Sequence, residues 1–293
     1  AMLLVAALVV APAAARTVAS GDTVFIGEKN VNLNGVFNTT TVGDSGTLVY
    51  YSSVATPDAA TIGQTISVSN VTDFELTTSD FGTTGAWYAF NATTAKTEKL
   101  TNQSAADGYI LVQKPSVKLN VKLAKDGKVT TDSVDGKTVT RNSQIAFELE
   151  HNLGISPVGG PFQIDVEVTT PNGGKLNELG KEVLSNGMVT DNAVSLKNLR
   201  LTGQKNTTAA IALVGMDAGT YTAIAKWPSK TEILGSDFYN KGYDSNTVNF
   251  EILSKAIAIS SNKDSVVRGN NFVVTITGES KADYWVFVKD AAI

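Results

Sequence analysis

The chain has 293 residues, with 24 Lys and Arg against 28 Asp and Glu, a formal net charge of −4, and no cysteine. The weakly acidic balance argues against a nucleic-acid surface, which needs a basic patch. Missing cysteines exclude disulfide stapling and leave packed cores, or neighbours in an assembly, to supply stability.

Residues 1–15 read as a secretory signal peptide. Met2 to Val10 is an almost unbroken apolar run, Pro12 breaks it, and Ala13-Ala14-Ala15 supplies small residues before Arg16. The run is shorter than the ~20 apolar residues a spanning helix needs, and no second segment of that length follows. From Arg16 onward the chain is longer than one ordinary sandwich and shorter than three complete ones.

Period-two alternation dominates the rest, and it places one face of each strand in a core and the other in water. Val117, Leu119, Val121 and Leu123 alternate with Lys118, Asn120 and Lys122. Phe162 to Val168, Val248 to Ile252 and Phe272 to Ile276 repeat the pattern. Asp107-Gly108, Asp126-Gly127, Asp135-Gly136, Asn172-Gly173 and Asn186-Gly187 supply the positive φ of tight hairpins. One short helix is expected near Leu176–Leu184. The expectation is an all-β protein of tandem immunoglobulin-like β-sandwich domains.

Three units follow: an N-terminal β-sandwich over 16–114 ending before Pro115, a second immunoglobulin-like sandwich over 115–254, and the start of a third β domain over 255–293. The third holds strands Ala256–Ile259, Phe272–Thr277 and Tyr284–Lys289. A sandwich takes about seven strands, so the chain reads as a fragment of a longer protein. Thr140-Arg141-Asn142-Ser143 and Val267-Arg268-Gly269-Asn270 are matching polar leads into apolar strands, as in a tandem array. Asp217-Ala218-Gly219-Thr220-Tyr221-Thr222-Ala223 looks like a tyrosine corner, in which the hydroxyl bonds back to the turn. Tyr221 and Trp227 share the core face of that strand. Ala223 stands where antibody domains carry a cysteine.

Catalytic patterns fare poorly. Gly43-Asp44-Ser45-Gly46 resembles the segment around a trypsin-like nucleophile, but that chemistry needs a histidine and a carboxylate behind it. The one histidine, His151, follows the serine instead of preceding it and reads as a surface residue; alone it cannot make a zinc site. Asp126, Asp132 and Asp135 lie near a hairpin and admit structural calcium, although their spacing matches no EF-hand and turn chemistry explains them. No marked carboxylate pair, phosphate-binding glycine loop or aromatic-basic stripe is present. The expectation is no enzyme and no cofactor.

The N-glycosylation pattern Asn-x-Ser/Thr occurs at Asn38, Asn70, Asn91, Asn102 and Asn206. The number alone is what chance allows in a chain this rich in Ser and Thr. Between Gly35 and Leu119, however, every asparagine falls in the pattern, which favours glycans on the first unit.

Ser20-Gly21-Asp22-Thr23-Val24-Phe25-Ile26-Gly27-Glu28, leading to Val31-Asn32-Leu33, resembles the mature N-terminus of surface-layer (S-layer) family glycoproteins of methanogenic archaea. Arg268 to Gly278 resembles a repeated element of the same proteins. The resemblance implies a structural cell-surface subunit, self-associating into a two-dimensional lattice outside the cell. It also implies a C-terminal stalk and a membrane anchor, so anchoring is expected only through a C-terminal segment missing from this fragment. A surface adhesin or carbohydrate-binding module is the alternative, and an exposed aromatic platform drawn from Trp87, Tyr88, Tyr284 and Trp285 would favour it.

Overall fold

The computed structural model describes residues 16–38, 45–53, 61–97, 100, 103–154, 160–230, 233–253 and 258–277. Among these residues strands far outnumber helices, so the protein is all-β. The signal segment 1–15 and the strand expected at Tyr284–Lys289 lie outside the described residues, and no described helix is long and apolar enough to cross a membrane.

The first unit contains β1 (Arg16–Ala19), β2 (Thr23–Phe25), β3 (Val31–Leu33), α1 (Asn34–Phe37), β4 (Gly46–Ser53), β5 (Thr61–Val68), β6 (Gly85–Asn91), α2 (Ala92–Thr97) and β7 (Gly108–Gln113). Its main sheet runs β2-β7-β6-β4-β5, and β1 pairs in parallel with β3. Alternation in β6 sends Trp87 and Ala89 to one face and Phe90 to the other. The first face packs against Val18, Leu33, Val36 and Phe37 from β1, β3 and α1. On the second, Val49, Tyr51 and Phe90 meet Ala95 of α2 and the segment around Leu100 and Ala106. The expected pair of full sheets is not formed among the described residues. The second layer is the β1–β3 pair with α1, because these short segments spend their apolar side chains as a cover.

The second unit contains β8 (Val117–Lys125), β9 (Lys128–Ser133), β10 (Lys137–Val139), β11 (Gln144–His151), β12 (Gln163–Thr169), β13 (Lys175–Leu176), β14 (Glu178–Leu179), β15 (Lys181–Val183), β16 (Val194–Ser195), β17 (Leu199–Arg200), β18 (Lys205–Thr207), β19 (Ala210–Ala212), β20 (Gly219–Lys226) and β21 (Thr247–Ile252). One sheet runs β15-β19-β11-β8-β9 and the other β10-β21-β20-β12-β13. If β8, β11, β12, β15, β19, β20 and β21 are lettered A to G, the sheets read D-E-B-A and C-F-G. Immunoglobulin constant-type sandwiches have this order. Leu119, Val121, Phe147 and Leu149 from one sheet close on Val166, Ala223, Ala225 and Phe250 from the other.

Two local devices shape this unit. Asp126 and Gly127 both take positive φ, 52° and 76°, as a type I′ hairpin between β8 and β9 requires. A Cβ on Gly127 would fall 1.9 Å from the Leu184 carbonyl oxygen, so the close approach of that loop also demands glycine. The Tyr221 hydroxyl donates to the Asp217 carbonyl at 3.0 Å, and its ring stacks on Phe250 at 5.4 Å. That is the geometry of a tyrosine corner.

The helix expected near Leu176–Leu184 is not present. The segment is split among β13, β14 and β15, each paired with a different partner strand. Tertiary pairing overrides a helical pattern this short. Beyond the second unit, β22 (Ala258–Ser261) and β23 (Val274–Thr277) form an antiparallel hairpin.

Candidate functional site

The acceptor asparagines occupy different environments. Asn38 ends α1 in the left-handed conformation, φ 50°, and is exposed. Asn70 closes a turn in which its Oδ1 accepts from the Thr72 N–H at 3.0 Å and the Thr72 hydroxyl at 2.7 Å. Asn91, at the end of β6, is held by Asp107. Its backbone N–H reaches Oδ2 at 2.6 Å, and its Nδ2 reaches Oδ1 at 3.2 Å. Asn102 lies outside the described residues.

Asn206, on β18, is bound into a side-chain network. Its Oδ1 accepts from the Thr202 N–H at 2.8 Å and faces His151 Nε2 at 2.7 Å, while its Nδ2 donates to Thr202 Oγ1 at 2.9 Å. The Leu153 N–H donates to His151 Nδ1 at 3.2 Å. With Nδ1 accepting, the proton sits on Nε2 and is given to Asn206. His151 is therefore not the surface residue expected. It is 8% exposed because the loop after β11 tucks under the one before β18, and a Cβ on Gly154 would fall 1.5 Å from the Gly203 carbonyl oxygen. Burial pushes the imidazole below its ordinary range, opposed by the Asn206 hydrogen bond.

With both ring nitrogens engaged, His151 is not poised as a base. Ser45 lies ahead of β4 in the first unit, and Gly43 and Asp44 lie outside the described residues. Asp135 accepts from the Asn249 N–H at 2.8 Å, and Asp126 forms the hairpin turn. Among the described residues, no group of three or more His, Cys, Asp or Glu is placed to hold a metal ion.

Aromatic candidates also sort themselves. Trp87 is fully buried and donates Nε1–H to the Thr83 carbonyl at 3.2 Å, so it is core. Tyr88 sits between Tyr51 and Tyr109, with ring centroids 5.5 Å and 5.8 Å away, and only Tyr109 of the three is exposed, at 39%. Tyr284 and Trp285 lie outside the described residues.

The most heavily built polar and aromatic site joins the two units. Phe25 of β2 is buried among second-unit residues, with its ring 5.9 Å from Phe162 and 6.4 Å from Phe238. Lys29 N–H donates to Asp237 at 3.1 Å. Asn152 clips the connection by donating to Gln113 Oε1 at 3.1 Å and the Lys114 carbonyl at 2.9 Å. Behind Phe25, Arg16 Nη1 contacts both Glu28 carboxylate oxygens, at 2.8 Å and 3.0 Å, and the Phe25 N–H donates to one of them at 2.9 Å. Burial pushes the Glu28 carboxyl up to about 7 against the pull of Arg16 and the Phe25 N–H, and nearby Asp237 adds to the rise. Burial likewise raises Asp237.

The sequence reading missed this junction, though a signal for it exists. Val24-Phe25-Ile26 is three consecutive apolar residues in a short strand, which means burial on both faces. Val24 and Ile26 enter the first core and Phe25 the second.

Two clefts remain. One of about 560 Å³ lies at the junction and is lined by Gln113, Glu150, His151, Asn152, Gln204 and Lys205. The other, about 290 Å³, lies on the second unit between Asp165, Glu167, Asn177, Lys226, Tyr239 and Asp244. Within it Glu167 accepts from Lys175 and Lys226, each at 2.9 Å. These contacts, the Lys175 hydrogen bond foremost, hold its carboxyl below the usual range.

Fold and sites together define an all-β protein, sandwich-type over β8–β21, in which buried and half-buried polar side chains lock loops and join the first two units. The chain belongs to the family described as a domain of unknown function, DUF3821, whose model matches residues 20–230. The match starts at the junction-forming turn, crosses the connection at Pro115 and ends within the second unit, ahead of β21. No curated protein shows significant similarity to the chain.

Proposed function

We propose that the protein is a structural subunit of a cell-surface lattice, exported and assembled with copies of itself into an S-layer-type coat. The observation that carries this reading is the junction. Phe25, Phe162 and Phe238 merge the edge of one core into the next, so two units act as one stiff building block, as lattice subunits that bear load must. The stretch Ser20–Glu28 that carries the resemblance to surface-layer glycoproteins is the stretch that builds this joint. Open strand edges at β5, β9 and β13 offer unpaired backbone groups for contacts between copies.

A binding module is the second reading. The 290 Å³ cleft favours it, because carboxylates and amides converge there beside Tyr239, which is 46% exposed. Purified native protein separates the two. Concentrated with and without calcium and viewed by negative-stain electron microscopy, a coat subunit forms ordered sheets or tubes. Persistent monomers that bind a polysaccharide tightly would establish the binding module instead.

A further inference from the structure

The acceptor asparagines share a sequence pattern but not a chemistry. Saccharide transfer uses Nδ2, so that atom must be reachable and must give up a proton. At Asn70 the carbonyl end is fixed by Thr72 through two donors, and Nδ2 makes no hydrogen bond within the described residues. Asn38 is exposed at the tip of α1, and its side chain makes none there either. At Asn91, Nδ2 is given to Asp107. At Asn206, Nδ2 is given to Thr202 and Oδ1 is shared between Thr202 and His151. A glycan on Asn206 would replace one Nδ2 hydrogen beside Thr202 and crowd the network in which Oδ1 accepts from His151, which is 8% exposed.

We propose that folding selects among these asparagines: Asn38 and Asn70 carry glycans, while Asn91 and Asn206 stay unmodified, Asn206 serving as the clamp that holds His151. This rests on the surface-glycoprotein reading above. The donor is a saccharide activated as a phosphoester at its anomeric carbon. Nδ2 attacks that carbon, an N–C bond forms, and the C–O bond to phosphate breaks. The phosphate leaves with the electron pair, and one Nδ2 proton passes to a base of the transferase. The reaction acts on the folded chain, since only there do Asp107, Thr202 and His151 occupy the competing amides.

Glycopeptide mass spectrometry of the native protein tests the selection. Glycan on Asn38 and Asn70 with bare Asn91 and Asn206 is the expected result. A glycan on Asn91 or Asn206, or a bare Asn38 or Asn70 beside other modified sites, overturns the selection and leaves the glycoprotein reading intact. Bare asparagines at all five acceptor positions overturn both. The clamp has its own readout, independent of glycans. Asn206→Ala lowers the denaturant midpoint and shifts the His151 ring resonances in NMR spectra, whereas Asn70→Ala leaves those resonances in place. Unmoved His151 resonances in Asn206→Ala overturn the clamp.

Discussion

Tyr221 shows how one hydroxyl holds a turn. Its ring is 1% exposed and its oxygen reaches the Asp217 carbonyl at the entry to β20. Tyr221→Phe keeps the packing on Phe250 and leaves that carbonyl short of a donor. The expected cost is about 1–3 kcal/mol, read as a fall in the urea midpoint; an unchanged midpoint would mean that the hydroxyl contributes nothing. Glu28 and His151 act on the pH profile in opposite directions. Glu28 has its carboxyl raised from 4.5 to about 7 in the folded chain. Between those values the native state holds a proton that the unfolded chain has lost, so stability falls as pH rises through the window. The His151 imidazole is lowered from 6.5. Below 6.5 the unfolded chain gains a proton that the native state refuses, so this contribution is lost as pH falls. Denaturant melts between pH 4.5 and 7.5 should show Glu28→Gln weakening the acid-favouring slope, to which the raised Asp237 also contributes, and His151→Gln removing the opposite one. Parallel profiles for wild type and both variants would contradict the assignment.

At the level of elements, the joint between β2 and the second unit governs how the halves move. Phe25 is fully buried where Phe162, just ahead of β12, meets Phe238 of the turn at Ser236–Phe238. Phe25→Ala should cost about 3–5 kcal/mol, as a large buried ring does. It should also broaden the distance distribution between spin labels placed one in each unit. A narrow distribution in both proteins would show that Asn152 and the connection suffice to hold the units. Much of this architecture was legible beforehand. Alternation placed β8, β12 and β21 correctly, because each has one face in a core and one in water. The Asp217–Ala223 motif pointed to the corner that the structure contains. What failed was information held by partners distant in sequence. The Leu176–Leu184 segment has a locally plausible helical pattern, and only pairing with β12, β16 and β19 makes it three short strands. His151 looked like a surface residue until Gly203 and Asn206 closed over it. The acceptor pattern at Asn206 is identical to that at Asn70, and nothing local shows that one amide is engaged by a histidine 55 positions away.

Across the whole molecule, the family match over 20–230 spans the first unit, the connection and most of the second unit, and an aromatic junction packs the two against each other. A weakly acidic, cysteine-free block with strand edges left unpaired among the described residues suits repeated lateral contact, and such contacts add where single ones are weak. Electron cryotomography of cells that make the protein, with a labelled antibody against it, tests this directly. The account predicts a periodic coat whose repeating density accommodates the two-unit block and is lost when the protein is removed. Antibody label scattered over a surface without periodic order would contradict it.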